Sequence, residues 1–223
     1  MSDFKAERET MIDSQIRPNA VTNVALLAAM LTMPREAFVP PSLRNLAYMD
    51  GNLRVEAPRD GEPARYLLAP TVFAKLAQLA RVKESDRVLD VGPATGYSTA
   101  ILAKLAKEVI AVERDAGLAA LAKDALAAQG IENAKLIIGP LEDGAPEDAP
   151  YDVIFVNGRL GRMPDRLLAQ LAAGGRLVGI KGPDMAPKAR LFTKIDSSIQ
   201  EIAAFDAAAP QLPGFEAKPI FTF

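Results

Sequence analysis

The feature that most constrains this chain is the stretch VLDVGPATGYSTAIL at residues 88–102. A short apolar run ends in Gly92, a tight turn follows, and Gly96 opens a helical pattern. A buried strand feeding a helix through glycines is the first unit of a parallel α/β sheet. The pattern then repeats. VIAVER (109–114), AKLIIG (134–139), YDVIFVNG (151–158) and RLVGIKG (176–182) are predicted strands. Helices are predicted before and between them, over TVFAKLAQLARV (71–82), 96–108, 117–130 and 163–175. The segment at 189–208 and the terminal KPIFTF predict strands with turns. Continuous apolar strands mean a parallel sheet covered on both faces. The fold class is therefore α/β, a doubly wound Rossmann-like sheet.

The first third of the chain has a different texture. Residues 5–33 read as helical, with Thr22 or Asn23 able to cap the apolar run that follows Pro18. Prolines at 34, 40 and 41 break the next stretch, leaving a short helix around Leu43–Ala47. Residues 51–69 mix Gly, Pro and both charge signs, which predicts a hairpin or lid-like segment. The expected division is an N-terminal helical extension with that segment (1–69) and a Rossmann-like core (70–223).

Composition narrows the chemistry. The chain has no cysteine and no histidine, which excludes disulfides, thiolate nucleophiles, histidine general bases and the usual zinc ligands. No metal site is expected. A net charge of −2 argues against a chain held on nucleic acid by bulk charge. The opening MSDFKAERET carries no apolar leader pattern, and no apolar run approaches the length of a membrane span. A cytoplasmic location without membrane or nucleic-acid partners is the expectation.

The glycine turn has the spacing G-x-A-x-G, Gly92, Ala94 and Gly96, with Pro93 between. A dinucleotide fingerprint would want a small residue at position 97, and this chain has Tyr97. Glu113 ends the next strand, seventeen residues after Gly96, where an acid accepts the hydroxyls of an adenosine ribose; Arg114 follows it. Asp90 precedes the turn. A carboxylate there would repel a pyrophosphate but tolerate a phosphate-free sulfonium nucleoside. Pro140 and Leu141, after the third strand of the series, border the place for an adenine ring. Asn157 follows the next strand, where a polar group can meet an acceptor. Together these residues have the arrangement of an S-adenosylmethionine site, with S-adenosylhomocysteine as product. Arg54, Arg59 and Arg65 dot the lid-like segment and could meet an anionic acceptor. A nicotinamide dehydrogenase is a distant alternative.

Over nearly its whole length the chain resembles the protein-L-isoaspartate O-methyltransferases. The resemblance is carried by MIDSQIRPNAVTN near the start, MPREAFVP (33–40), LAYMD (46–50), VLDVGPATGYSTAIL, VIAVER and PYDVIFV (150–156). It implies methyl transfer to the α-carboxylate of isoaspartyl residues in damaged proteins, hence a protein or peptide substrate. A carboxylate is ionised at neutral pH and needs no general base, which suits a chain without histidine.

The chain departs from the family pattern on the acceptor side. Leu67-Leu68-Ala69-Pro70 stands where the family has Ile-Ser-Gln-Pro, so the hydroxyl and amide positions fall on Leu68 and Ala69. Gly139-Pro140-Leu141 replaces Gly-Asp-Gly, and Asn157-Gly158-Arg159 replaces Thr-Ala-Ala. Asp90, Leu68 and Ala69 are the candidate catalytic positions. A methyltransferase with another acceptor, and a homologue that binds the cofactor with little turnover, stand as the alternatives.

Overall fold

The computed structural model describes residues 3–59, 62–183 and 185–217. The expected terminal strand at 218–223 lies outside them. The N-terminal extension starts with α1 (Phe4–Met11), whose first turn is capped by Asp3 accepting from the Ala6 N–H at 3.1 Å. A π-helical turn over Ile12–Ile16 buries Ile12 and Ile16. Of the two capping candidates for α2 (Val24–Thr32), Asn23 does the work, accepting from the Leu26 N–H at 2.9 Å. The proline-rich stretch forms two 3-10 turns, Arg35–Phe38 and Pro41–Leu46.

The lid-like segment is a two-stranded antiparallel hairpin, β1 (Leu53–Glu56) with β2 (Arg65–Leu67), separate from the main sheet. Pro70 then opens α3 (Pro70–Ala80), a position where its missing N–H costs nothing.

The core follows as β3 (Arg87–Val91), α4 (Tyr97–Ala103), β4 (Glu108–Glu113), α5 (Ala116–Ala128), β5 (Ala134–Ile138), β6 (Tyr151–Leu160), α6 (Asp165–Ala169), β7 (Leu171–Lys181), β8 (Lys188–Ile195) and β9 (Ser198–Asp206). The sheet order is β5-β4-β3-β6-β7-β8-β9. The first five strands are parallel. At the far edge β8 and β9, read from the sequence as strands with turns, run antiparallel as a hairpin. The chain order reverses beside β3, which opens a crevice at the carboxyl ends of β3, β4 and β6.

Alternation along the strands splits the core in two. Leu89, Val91, Ile110, Val112, Ile154 and Val156 face the layer formed by α6, the turn at Leu141 and the C-terminal segment with Leu212 and Phe215. Val88, Val109, Val153, Phe155 and Val178 pack against the other, with α3 and the N-terminal extension.

Two further boundaries differ from the sequence reading. The expected helix over 163–175 is short, because Leu171 already pairs with Tyr151 and begins β7. Gly174, at φ 73°, lies within a register shift of that strand rather than at a helix end. β6 runs on to Leu160, so Asn157 lies within it rather than after it.

Candidate functional site

The crevice is built around the turn between β3 and α4. Gly92 (φ 69°) and Gly96 (φ 93°) both adopt left-handed backbone, open to glycine without penalty. A side chain at Gly96 would stand 3.1 Å from the Ala122 Cβ, so the glycine also lets α4 sit close to α5. Ala94 is left-handed too, at φ 54°, a conformation costing an L-residue about 1–2 kcal/mol. Its N–H is thereby aimed at Glu113, donating to Oε2 at 3.0 Å.

Glu113 is fully buried at the end of β4. Its Oε1 also accepts from the Asp115 N–H at 3.1 Å. The remaining donors come from the hairpin. Arg65 of β2 grips both carboxylate oxygens, Nη2 reaching Oε2 at 2.9 Å and Nη1 bonding Oε1. The same Nη2 donates to the Gly92 carbonyl at 3.2 Å. The two residues that follow Glu113 are paired to the hairpin as well. Arg114 bonds Glu62 at 2.7 Å, and Asp115 bonds Arg59 at 2.8 Å. Arg59 and Arg65, which could meet an anionic acceptor, pair here with Asp115 and Glu113.

Asp90 lies on the other side of the turn, fully buried. Its Oδ2 accepts from Ser98 Oγ (2.8 Å) and Thr99 Oγ1 (2.7 Å), and its Oδ1 from Asn157 Nδ2 (2.6 Å). Burial pushes the Asp90 carboxyl up to about 6, against the pull of these three hydrogen bonds. Asn157 also donates to the Val91 carbonyl at 3.1 Å, so it braces β3 to β6.

Gly92, Pro93, Ala94, Leu141 and Asn157 are all buried around this turn. Pro140 and Arg114 are exposed at its rim, and Arg114 is turned toward Glu62. A Cβ placed on Gly92 would lie 2.9 Å from Leu212 Cδ1, 3.2 Å from Arg65 Nη2 and 3.3 Å from Leu141 Cδ1. The space before the elbow is thus lined by the chain's own side chains. Leu212 arrives on the C-terminal segment, which pairs beside the end of β6: the Leu212 N–H donates to the Arg159 carbonyl at 3.0 Å, and the Arg159 N–H to the Pro210 carbonyl at 2.9 Å. Sequence reasoning missed Leu212, which sits in an irregular Pro-rich stretch with no periodic signal.

Leu68 and Ala69 lie between β2 and α3, both buried. The Leu68 carbonyl accepts from Arg35 Nη2 at 2.8 Å, and the Ala69 N–H donates to Asn52 Oδ1 at 3.0 Å. Arg35 is buried, bonds the Ala47 carbonyl at 2.8 Å and stacks 4.6 Å from the centre of the Tyr97 ring. Leu68, Tyr97, Ser98 and Asn157 border a narrow pocket of about 10 Å³, room for one water molecule. Burial raises the Tyr97 hydroxyl well above its usual range, and its oxygen is buried without a hydrogen-bond partner. Among the described residues no helix is long and apolar enough to cross a membrane, and no cluster of acidic residues has metal-binding spacing.

Comparison with known proteins agrees with this architecture. The family profile described as protein-L-isoaspartate(D-aspartate) O-methyltransferase matches residues 6–205. A protein-L-isoaspartate O-methyltransferase from Methanoculleus marisnigri is 37% identical over 179 residues, covering 80% of this chain and 79% of that relative. A Rhodopseudomonas palustris relative of the same name is 37% identical over 201 residues, 90% of this chain and 79% of its own. A solved protein-L-isoaspartate O-methyltransferase superposes with a TM-score of 0.80 at 26% identity, covering 94% of this chain and 67% of that one. A Plasmodium falciparum structure described with the same activity, in complex with S-adenosyl-L-homocysteine, shares the fold at a TM-score of 0.76 and 21% identity, covering 95% and 99%. With the profile matched over most of its length and relatives above the level of chance likeness, the chain belongs to the protein-L-isoaspartate(D-aspartate) O-methyltransferase family.

Proposed function

We propose that this chain is an S-adenosylmethionine-dependent methyltransferase acting on a protein or peptide carboxylate, the isoaspartyl α-carboxylate being the acceptor its family membership favours. The observation that carries the reading is Glu113. This acid is fixed at the end of β4 by the N–H of Ala94, within the glycine turn, and by the N–H of Asp115. Two backbone donors hold the carboxylate in place, and its other two acceptor positions, taken by Arg65, are the ones a ribose diol would use.

The residues present suit the cofactor in kind. Gly92, Ala94 and Gly96 would offer backbone contacts to its methionine part, with Pro93 shaping the turn. Glu113 would hold the ribose. Leu141 and Pro140 would border the adenine, with Arg114 at the rim. Asp90, held by Ser98, Thr99 and Asn157, would take the amino group. When bound, the cofactor supplies an electrophilic methyl group on a sulfonium. The chain's own part is to align an already ionised acceptor oxygen with it and to keep water out. No residue here needs to remove a proton.

The acceptor side is apolar where Leu68 and Ala69 lie, and their nearby backbone groups are already bonded to Arg35 and Asn52. That segment would pack against the acceptor rather than hydrogen-bond it. The same observation favours a second reading, cofactor binding with slow turnover or another carboxylate acceptor. Transfer of labelled methyl from S-adenosylmethionine to an isoaspartyl peptide, with a normal aspartyl peptide as control, separates the two. Label on the isoaspartyl peptide alone supports the first reading. Saturable cofactor binding with neither peptide labelled supports the second.

A further inference from the structure

We infer that Arg65 is a built-in occupant of the ribose position, and that the β1–β2 hairpin is a latch whose release sets the affinity of the site for its nucleoside. The inference rests on Glu113 being the ribose acid.

Both oxygens of Glu113 are saturated, by two backbone N–H groups and by the two terminal nitrogens of Arg65. A carboxylate accepts about four hydrogen bonds. Ribose hydroxyls can therefore enter only where the guanidinium now sits. Arg65 also reaches across to the Gly92 carbonyl, so it spans the ground between the turn and the acid.

The latch is wider than one pair. The consecutive residues Glu113, Arg114 and Asp115 meet Arg65, Glu62 and Arg59 in turn, each with the opposite sign. Three charges at the end of β4 are thus matched one by one by three on the hairpin. Among the described residues the hairpin forms a sheet of its own with no backbone pairing to a core strand. Leu53, Val55 and Leu67 anchor it in the core, so release is the withdrawal of the Arg65, Glu62 and Arg59 side chains with the main ladder intact. The outer two pairs are partly exposed and individually weak. The inner pair is buried and blocks the site.

A closed majority state reduces apparent affinity in proportion to the open fraction. The test is calorimetric titration of S-adenosylhomocysteine into the full chain. Arg65→Lys keeps a cation beside Glu113 and so protects the fold, but loses the two-pronged grip. It is expected to bind about tenfold more tightly than wild type. Arg59→Ala with Glu62→Ala loosens only the exposed pairs and is expected to bind about threefold more tightly. Adding Glu113→Gln to Arg65→Lys is expected to abolish the gain. Affinity in Arg65→Lys equal to or below wild type, including no binding in either, overturns the latch. If Arg65→Lys does not fold, the hairpin double variant decides by the same criterion. Tight binding without methyl transfer would count against the proposed activity and leave the latch standing.

Discussion

Arg65 and Glu113, 48 positions apart in sequence, form a buried two-pronged ion pair across the mouth of the crevice. Burying two charges is costly, and the pair is held because each partner answers the other. Removing one partner alone strands the other. Glu113→Gln should destabilise the fold by about 3–5 kcal/mol in urea unfolding. Replacing both, by Arg65→Leu with Glu113→Leu, should recover most of that loss. A double variant no more stable than the single would show that the pair does not act as a unit.

Gly92 makes a sharper steric prediction. Gly92→Ala meets both a left-handed backbone and Leu212 Cδ1 at 2.9 Å. The expected loss is roughly 2 kcal/mol or more. Leu212→Ala in the same chain should relieve the steric part and leave the backbone part, so the double variant should lose less from Gly92→Ala than wild type does. Thermal melts of the four proteins measure this.

Asp90 gives the chain a pH signature. Its pKa, about 6 in the fold, is above the ordinary carboxylate value of 3.8. Between those values the folded state binds more protons than the unfolded one, so the Asp90 contribution to stability falls as pH rises from about 4 to about 6. The loss across that window is about 3 kcal/mol. Asp90→Asn has no such titration. The stability of wild type relative to Asp90→Asn should therefore decline through that window, and a difference flat with pH would contradict the assignment.

The acceptor side can be tested by restoration. Leu68→Ser with Ala69→Gln puts a hydroxyl and an amide at the two positions where the family resemblance implies them. Because both sites are buried, the variant should lose about 2–4 kcal/mol of stability. Methyl transfer to an isoaspartyl peptide should rise while S-adenosylhomocysteine affinity stays the same. A rise in turnover that only tracks tighter cofactor binding would place the effect elsewhere.

The sheet was readable in the sequence because its central strands are continuous apolar runs, such as VLDV and VIAV, that only a doubly covered parallel sheet accommodates. The edge hairpin of β8 and β9 was legible as strands but not as antiparallel, since direction depends on pairing. The helix expected through Gly174–Gly175 failed because two glycines mark a helix end and a strand irregularity alike; pairing of Leu171 with Tyr151 decides between them. Within the site, the turn glycines, Asp90 and Glu113 stand out by spacing along one chain segment. Arg65 and Leu212 do not, because their place is set by how remote segments fold over the crevice. The signal for Arg65 was present only as complementary charges, Arg59, Glu62 and Arg65 against Glu113 to Asp115. It becomes visible once the hairpin is laid on the turn.

The most direct test of the central claim is a crystal structure grown with saturating S-adenosylhomocysteine. The account predicts the ribose hydroxyls on the Glu113 carboxylate, the methionine part along Gly92 to Gly96, and Arg65 displaced from Glu113. Nucleoside density elsewhere, or Arg65 still bonded to Glu113 with the elbow free of ligand, would contradict it.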